Sequence, residues 1–330
     1  MNKSKIDVAV FINFFARPSV LSKVFDEVKK AKPSKLFLSC DGPRKNRPDD
    51  IENIKKCQEI VEDIDWECEV YKNYSEENLG CGMRMYTGIS WALTQVESVI
   101  ILEDDCVPSQ SFFPFCKELL EKYKDDQRVY MISGMNRLGI YNKPTADYFF
   151  GPACCCGWAT WRRAWQSIDF NMGFLKDEYS MDCVENLYPY FSDVKNRGKE
   201  KLAQLNSGRK LTAWTYQSGM ALALNNQMSI LPTKNLISNI GLVDNATNGP
   251  NKLKKLPKKT QAMFYLPVFE YDFPLKHPSY VIEDRMYYNE VTKKFKTNFF
   301  TKIESIARRI VFAEKGEIKA MFKRKFLRKK

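Results

Sequence analysis

Val99-Ile100-Ile101-Leu102 runs without a break into Glu103-Asp104-Asp105. A continuous apolar run of this kind fits a strand buried on both faces, as a parallel sheet covered by helices requires. Three acids directly after such a strand repel one another and resist leaving water. Either they form an exposed acidic turn or something positive neutralises them. A divalent cation would do so, and hard carboxylate oxygens favour Mn²⁺ or Mg²⁺. With few carboxylates chelating, the remaining positions go to water or phosphate oxygens, where the cation stabilises charge on a departing diphosphate. Pro108 closes the loop after the acids.

The rest of the first 135 residues repeats the strand logic. Val8 to Ile12, Leu36 to Leu38, Glu67 to Tyr71 and Val129 to Ser133 read as strands. Helices are expected from Pro18 (with Ser19 as cap), over 49–64, from Met83 to Val96, and over 111–124. This βαβα alternation predicts an α/β fold with a mostly parallel central sheet and flanking helices. Ligands in such sheets bind beyond the carboxyl ends of the strands. That edge collects Asn13 to Arg17, Asp41-Gly42 and the acidic triplet. From about 136 the pattern turns irregular and aromatic, so 136–284 is expected to form a second lobe or a set of covering loops. Trp158, Trp161 and Trp165 are spaced three and four apart, which predicts three indoles on one helical face, packed as core.

Charge is distributed unevenly. Of the 52 basic and 40 acidic residues, 15 and 4 fall in residues 285–330, which therefore hold +11 of the net +12 and leave +1 on 1–284. A duplex-binding fold would spread a basic face over its body, so nucleic acid is not expected as a partner. Within the tail, Phe299, Ile303, Ile306 and Ile310 line one helical face, and Ile318, Met321, Phe322 and Phe326 repeat the pattern. A basic amphipathic tail over 295–330 suits an anionic membrane surface, the alternative being that its apolar face docks on the body. No apolar run reaches the roughly 18 residues of a spanning helix, and no export signal is expected at the N-terminus. The ten cysteines, Cys154-Cys155-Cys156 among them, then read as reduced thiols, the triplet as a buried small-residue segment. The expected location is cytoplasmic, peripheral on the inner face of the cytoplasmic membrane. His277, the only histidine, precedes Pro278 and reads as structural. Gly80-x-Gly82 is not a dinucleotide fingerprint, and no phosphate-loop motif occurs. Five lysines between Lys252 and Lys259 read as a solvated loop or one that closes on phosphates.

Taken in order, Arg17-Pro18, Asp41-Gly42-Pro43-Arg44, Asn78-x-Gly80, Ile101-Leu102-Glu103-Asp104-Asp105, Phe112-Phe113, Ser133-Gly134-x-Asn136, Gly157-Trp158-Ala159-Thr160-Trp161-Arg162-Arg163-Ala164-Trp165 and Asn235-Leu236-Ile237-x-Asn239-Ile240-Gly241 resemble bacterial GT-A-fold sugar transferases. These are distant relatives of the Golgi N-acetylglucosaminyltransferase of complex N-glycan synthesis. The resemblance covers about 10–250, with 1–135 as the nucleotide-sugar-binding half and 136–284 as the acceptor-binding half. It implies a GT-A fold, a nucleoside diphosphate sugar donor (UDP-linked) and an inverting, metal-dependent transfer. Asp105 would hold Mn²⁺ or Mg²⁺, with Glu103 and Asp104 supporting it and the donor ribose. Asp41 would meet the nucleobase, and Arg17 and Arg84 would lie near the donor phosphates. Relatives often carry an acid in the block that reads Ala213-Trp214-Thr215-Tyr216-Gln217 here, and a histidine where Asn248 stands. The base then falls to another acid, Asp244 or Glu178 foremost, with Asp177 and Asp182 behind them.

The function expected is thus a glycosyltransferase acting on a glycan or lipid-linked acceptor in surface polysaccharide synthesis. Two competitors are a sugar-nucleotide nucleotidyltransferase and a catalytically impaired membrane-associated scaffold. The first would want a Gly-rich basic loop after the first strand, unlike Asn13-Phe14-Phe15-Ala16-Arg17. The second is motivated by Thr215 and Asn248. A glycosidase also uses two carboxylates, but adjacent acids suit a cation better.

Overall fold

A computed structural model of the chain describes residues 5–152, 155–188, 193–209, 214–242 and 252–313. The first half alternates as expected: β1 (Ile6–Phe14), α1 (Pro18–Ala31), β2 (Pro33–Cys40), α2 (Asp49–Glu62), β3 (Glu69–Tyr74), α3 (Cys81–Gln95) and β4 (Ser98–Glu103). Then come β5 (Cys106–Pro108), α4 (Phe112–Lys122), β6 (Val129–Ser133), β7 (Tyr148–Gly151), β8 (Trp158–Trp161) and the single turn α5 (Arg162–Trp165). A helical lobe follows, α6 (Glu178–Leu187), α7 (Val194–Asn206) and α8 (Thr215–Leu224), then β9 (Met228–Pro232) and β10 (Ile237–Asn239). The C-terminal part holds α9 (Lys252–Lys255), α10 (Lys258–Gln261), α11 (Arg285–Phe295) and α12 (Phe299–Val311).

Among the described residues the strands form one eight-stranded sheet in the order β3-β2-β1-β4-β8-β6-β9-β7, plus the small pair β10-β5. The strands alternate cleanly between two cores. Val10, Ile12, Leu36, Leu38, Ile100 and Leu102 face one side, under α1, α2 and α4. Phe11, Phe37, Val99 and Ile101 face the other, under α3, α5 and α8. Burial on both faces is why these strands read as unbroken apolar runs. An Ile→Ala change there would cost about 2–5 kcal/mol.

The sheet is mostly parallel, as expected, with two strands reversed. β3, β2, β1 and β4 are parallel, as are β6 and β9, but β8 runs antiparallel between β4 and β6, and β7 antiparallel to β9. Residues 136–284 therefore add β7, β8 and β9 to the same sheet, and the lobe of α6 to α8 packs around Met181, Val184, Tyr216 and Met220. The indoles depart from the expectation as well. Trp158 and Trp161 lie on a strand, so they face opposite sides of the sheet. Trp158 stacks on Trp214 (ring centroids 5.2 Å) and packs near Trp165, while Trp161 Nε1 donates to the Leu120 carbonyl at 3.0 Å in the other core. All three are buried.

His277 is structural: Nδ1 meets Tyr148 Oη at 3.0 Å and Nε2 faces Glu118 at 3.3 Å. Cys155 and Cys156 are only partly buried, and Cys154 lies outside the described residues. The lysine stretch is not an open loop but forms α9 and α10, held against the last two helices. Lys259 Nζ donates to the Lys293 and Lys296 carbonyls, and Lys258 N to Glu304 Oε1.

Candidate active site

In the order β3-β2-β1-β4 the chain winds outward from β1 to β3, then returns to place β4 on the other flank of β1. The reversal opens a crevice beyond the carboxyl ends of β1 and β4, where doubly wound sheets hold their ligands. The register puts Asn13 opposite Glu103 at this edge. The segment leaving β1 carries Arg17, and the segment leaving β4 carries the acids.

Arg17 sits at the N-cap of α1, where a short polar cap would be preferred, and makes no capping bond; Pro18 occupies the first turn in place of the Ser19 cap expected. Its side chain reaches the acids instead. Nε donates to Asp104 Oδ2 at 3.1 Å, and Nη2 donates to Asp104 Oδ1 and, at 3.0 Å, to Asp105 Oδ2. Phe15 N adds a bond to Asp104 Oδ2 at 3.2 Å. To bring this about Ala16 takes a left-handed φ of 46°, a strained conformation for a residue with a Cβ, of the kind found at functional sites. Burial by itself would lower the Arg17 pKa, but Asp104 and Asp105 outweigh it, so the guanidinium stays charged. Part of the neutralisation that the acids demand thus comes from this arginine.

Glu103 is left over. Its carboxylate makes no hydrogen bond or ion pair among the described residues, and burial, then Asp105 and Asp104, push its pKa up to about 8. Asp104 is also pushed upward by burial, against the pull of Arg17. Asp105 is lightly held: beside Arg17 it has only long contacts, Asn239 Nδ2 and Cys106 Sγ each at 3.5 Å from Oδ1. These residues fit a divalent cation in one sense. Two acids are paired to one arginine, and the third feels that arginine without pairing to it, so the cluster can accept more positive charge. Among the described residues no group of three or more His, Cys, Asp or Glu side chains could hold an ion alone, so the remaining ligands must come from a diphosphate or water.

Asn239 and Gly241 are neighbours of the acid to which no role was assigned from sequence. β10 pairs antiparallel with β5, Asn239 opposite Cys106, and Ile240 N donates to the Asp105 carbonyl at 2.9 Å. A Cβ on Gly241 would meet Asp105 Oδ2 at 2.1 Å, so only glycine lets the carboxylate lie there. The segment is anchored by buried Asn235, whose Nδ2 donates to the Ile237 and Pro267 carbonyls while Oδ1 accepts from Asn136 N. This explains why Ser133-Gly134-x-Asn136 and Asn235 to Gly241 belong to one pattern: they are one packed unit. The only sequence signal was that pattern itself.

Asp41 and Arg84 occupy a second spot, at the end of β2. Asp41 is buried and its oxygens are filled by the chain: Gly42 N and Leu79 N on Oδ1 (3.1 and 2.7 Å), Gly80 N and Asn78 Nδ2 on Oδ2 (2.8 and 3.0 Å). Its observed work is to shape the Asn78–Gly80 turn that starts α3, and Cys81 at the head of α3 lies within electrostatic reach of all three acids. Arg84 is buried, with Nη2 on the Asn73 carbonyl and side chain; burial lowers its pKa against the opposing pull of Asp41. Its Nε has no partner among the described residues.

Of the expected bases, those among the described residues are not gathered here. Asp244 and Asn245–Asn248 lie outside the described residues. Glu178 is exposed at the start of α6, in the helical lobe, with no contact to the acids. Asp177 caps α6 through Ser180, Asp182 pairs with Lys195, and Thr215 is exposed at the first position of α8.

No family model matches the chain, and no curated protein does. Among solved structures it is similar to a UDP-glucose pyrophosphorylase complexed with UDP-glucose, at 12% identity and TM-score 0.23, over 46% of this chain and 64% of that one. The chain thus spans less than two thirds of that enzyme. It is also similar to an active-site mutant of LgtC, at 10% identity and TM-score 0.32, over 73% of this chain and 91% of that one. The case for function rests on this chain's own side chains.

Proposed function

We propose that the protein is a metal-dependent, inverting glycosyltransferase of GT-A architecture. It moves a sugar from a nucleoside diphosphate donor, taken as a UDP-sugar, to a glycan or lipid-linked acceptor in surface polysaccharide synthesis. The observation that carries this reading is the cluster of Arg17, Glu103, Asp104 and Asp105 at the strand-order reversal, three acids with one paired arginine among them.

Arg17 fixes Asp104 and turns Asp105 toward the crevice. Asp105 supplies negative charge that would hold Mn²⁺ or Mg²⁺ together with the donor, and Glu103 would add to it on giving up its proton to the cation. When bound, the cation offsets charge on the departing diphosphate. Gly241 and Asn239 hold Asp105 in place. Asp41 and Arg84 would serve the donor indirectly, Asp41 by holding the Asn78–Gly80 turn on the nucleobase side and Arg84 by its charge on the phosphate side. For the base that takes the acceptor proton, Asp244 is preferred over Glu178. It follows Gly241 by three residues, a chain step of at most about 11 Å, whereas Glu178 belongs to the separate lobe.

The test is Mn²⁺-dependent hydrolysis of a panel of nucleotide sugars. The expected result is turnover of one donor that falls about 1000-fold in Asp105→Ala while the variant stays folded. Undiminished turnover in Asp105→Ala overturns the assignment. Pyrophosphate release from a nucleoside triphosphate would make the protein a nucleotidyltransferase, and absence of both turnover and donor binding a scaffold.

A further inference from the structure

α12 ends the described part of the chain and has no buried residue. Phe299, Phe300, Ile303, Ile306, Ile310 and Val311 are each between 44% and 76% exposed. The first half of the stripe that the sequence predicts therefore forms, and it does not dock on the body; Ile318, Met321, Phe322 and Phe326 lie outside the described residues. The helix attaches by its other side: Arg308 Nε bonds Glu304 Oε1 at 2.6 Å, Glu304 Oε1 accepts from Lys258 N at 2.9 Å, and Arg308 Nη1 donates to the Lys254 carbonyl at 3.2 Å. These polar contacts to α9 and α10 hold the apolar stripe outward. The exposed Lys302 and Arg309 run along its edge and form no ion pair among the described residues.

We propose that the outward face of α12 is an interfacial docking surface for an anionic lipid bilayer, seating Phe299, Ile303, Ile306 and Ile310 among the acyl chains with Lys302 and Arg309 at the headgroups. An apolar stripe edged by cations is what such an interface takes up, each part weak alone. A second copy of the chain is disfavoured because it would bring two basic edges together, with 15 basic against 4 acidic residues in each 285–330 segment. Among the described residues no helix is long and apolar enough to cross a membrane, so the contact is with the surface.

Flotation of the full chain with phosphatidylcholine vesicles, with and without phosphatidylglycerol, tests this. The intact protein should float only with the anionic vesicles, and less so at high salt. The double variant Ile303→Asp/Ile306→Asp should melt at the same temperature yet bind about tenfold more weakly or worse. Lys302→Gln/Arg309→Gln should bind more weakly at low salt and narrow the difference between low and high salt. No flotation of the intact protein overturns the proposal, as does undiminished flotation of the Asp double variant. So does a dimer of the intact chain that the Asp double variant abolishes while neither floats, which would assign the face to a second copy.

Discussion

The crevice between β1 and β4 and the outer face of α12 break the same rule in opposite directions. The crevice takes charge out of water: Asp104 is 4% exposed, Glu103 is unpaired, and one arginine serves two acids. α12 does the reverse and leaves six large apolar side chains in water. α11, next to it, shows that this is not a general looseness of the C-terminal part. It buries Tyr287 and Val291 against Tyr141, Phe149 and Leu231 on the sheet edge. Both inversions run against what folding alone favours, and buried charge and exposed apolar patches are the departures that mark binding sites.

If the contrast is sound, substitutions should cost much in the crevice and almost nothing on α12. The largest loss of stability is expected for Arg17→Ala, which leaves Asp104 buried without its partner and should cost about 3 kcal/mol by urea unfolding. A cost near zero would mean that the acids are neutral without it. Gly241→Ala should cost about 2 kcal/mol, because the new methyl forces Asp105 aside. Its donor turnover should fall by more than that loss of stability accounts for. For Glu103 the sign follows from its pKa, raised from 4.5 to about 8 in the folded chain. Between those values the folded state holds a proton that the unfolded state has released, so its contribution to stability falls as pH rises through the window. Glu103→Gln should flatten that decline in melting temperature. An unchanged pH profile would show that Glu103 is not the group responsible. At the small end, Ile306→Asp should shift stability by no more than about 0.5 kcal/mol, while Val291→Asp on α11 should be severely destabilising. Equal costs at the two helices would erase the comparison.

Much of the first half was readable because burial on both faces writes itself as apolar runs. Val99 to Leu102 followed by the acids located β4 at once, and Val129–Ser133 matched β6 to the residue. What failed had a physical reason. The three-and-four spacing of Trp158, Trp161 and Trp165 mimics a helix, yet the segment is a strand plus one turn, and tertiary pairing with β4 and β6 decided it. β7 and β9 are short and partly antiparallel, so neither left a clear run. The bonds of Arg17 to Asp104 and Asp105 had no sequence signal, because they depend on a strand order that no local pattern encodes. The contact between Asp105 and Asn239 joins residues 134 positions apart, and a single sequence has no signal for that.

The pairing of β10 with β5 also bears on how the protein comes into being. A ribosome delivers β1 to β4 early, and that parallel core can begin to collapse on its own schedule. Yet Cys106 to Pro108 lacks its partner strand, and the Asp105 carbonyl its donor, until residues 237–240 have emerged. A nascent or truncated chain ending before that point would carry the acids without the piece that aims them. Any ligand binding at this edge should therefore switch on late in translation, and an excised N-terminal fragment should carry the acids without the grip that β10 lends them.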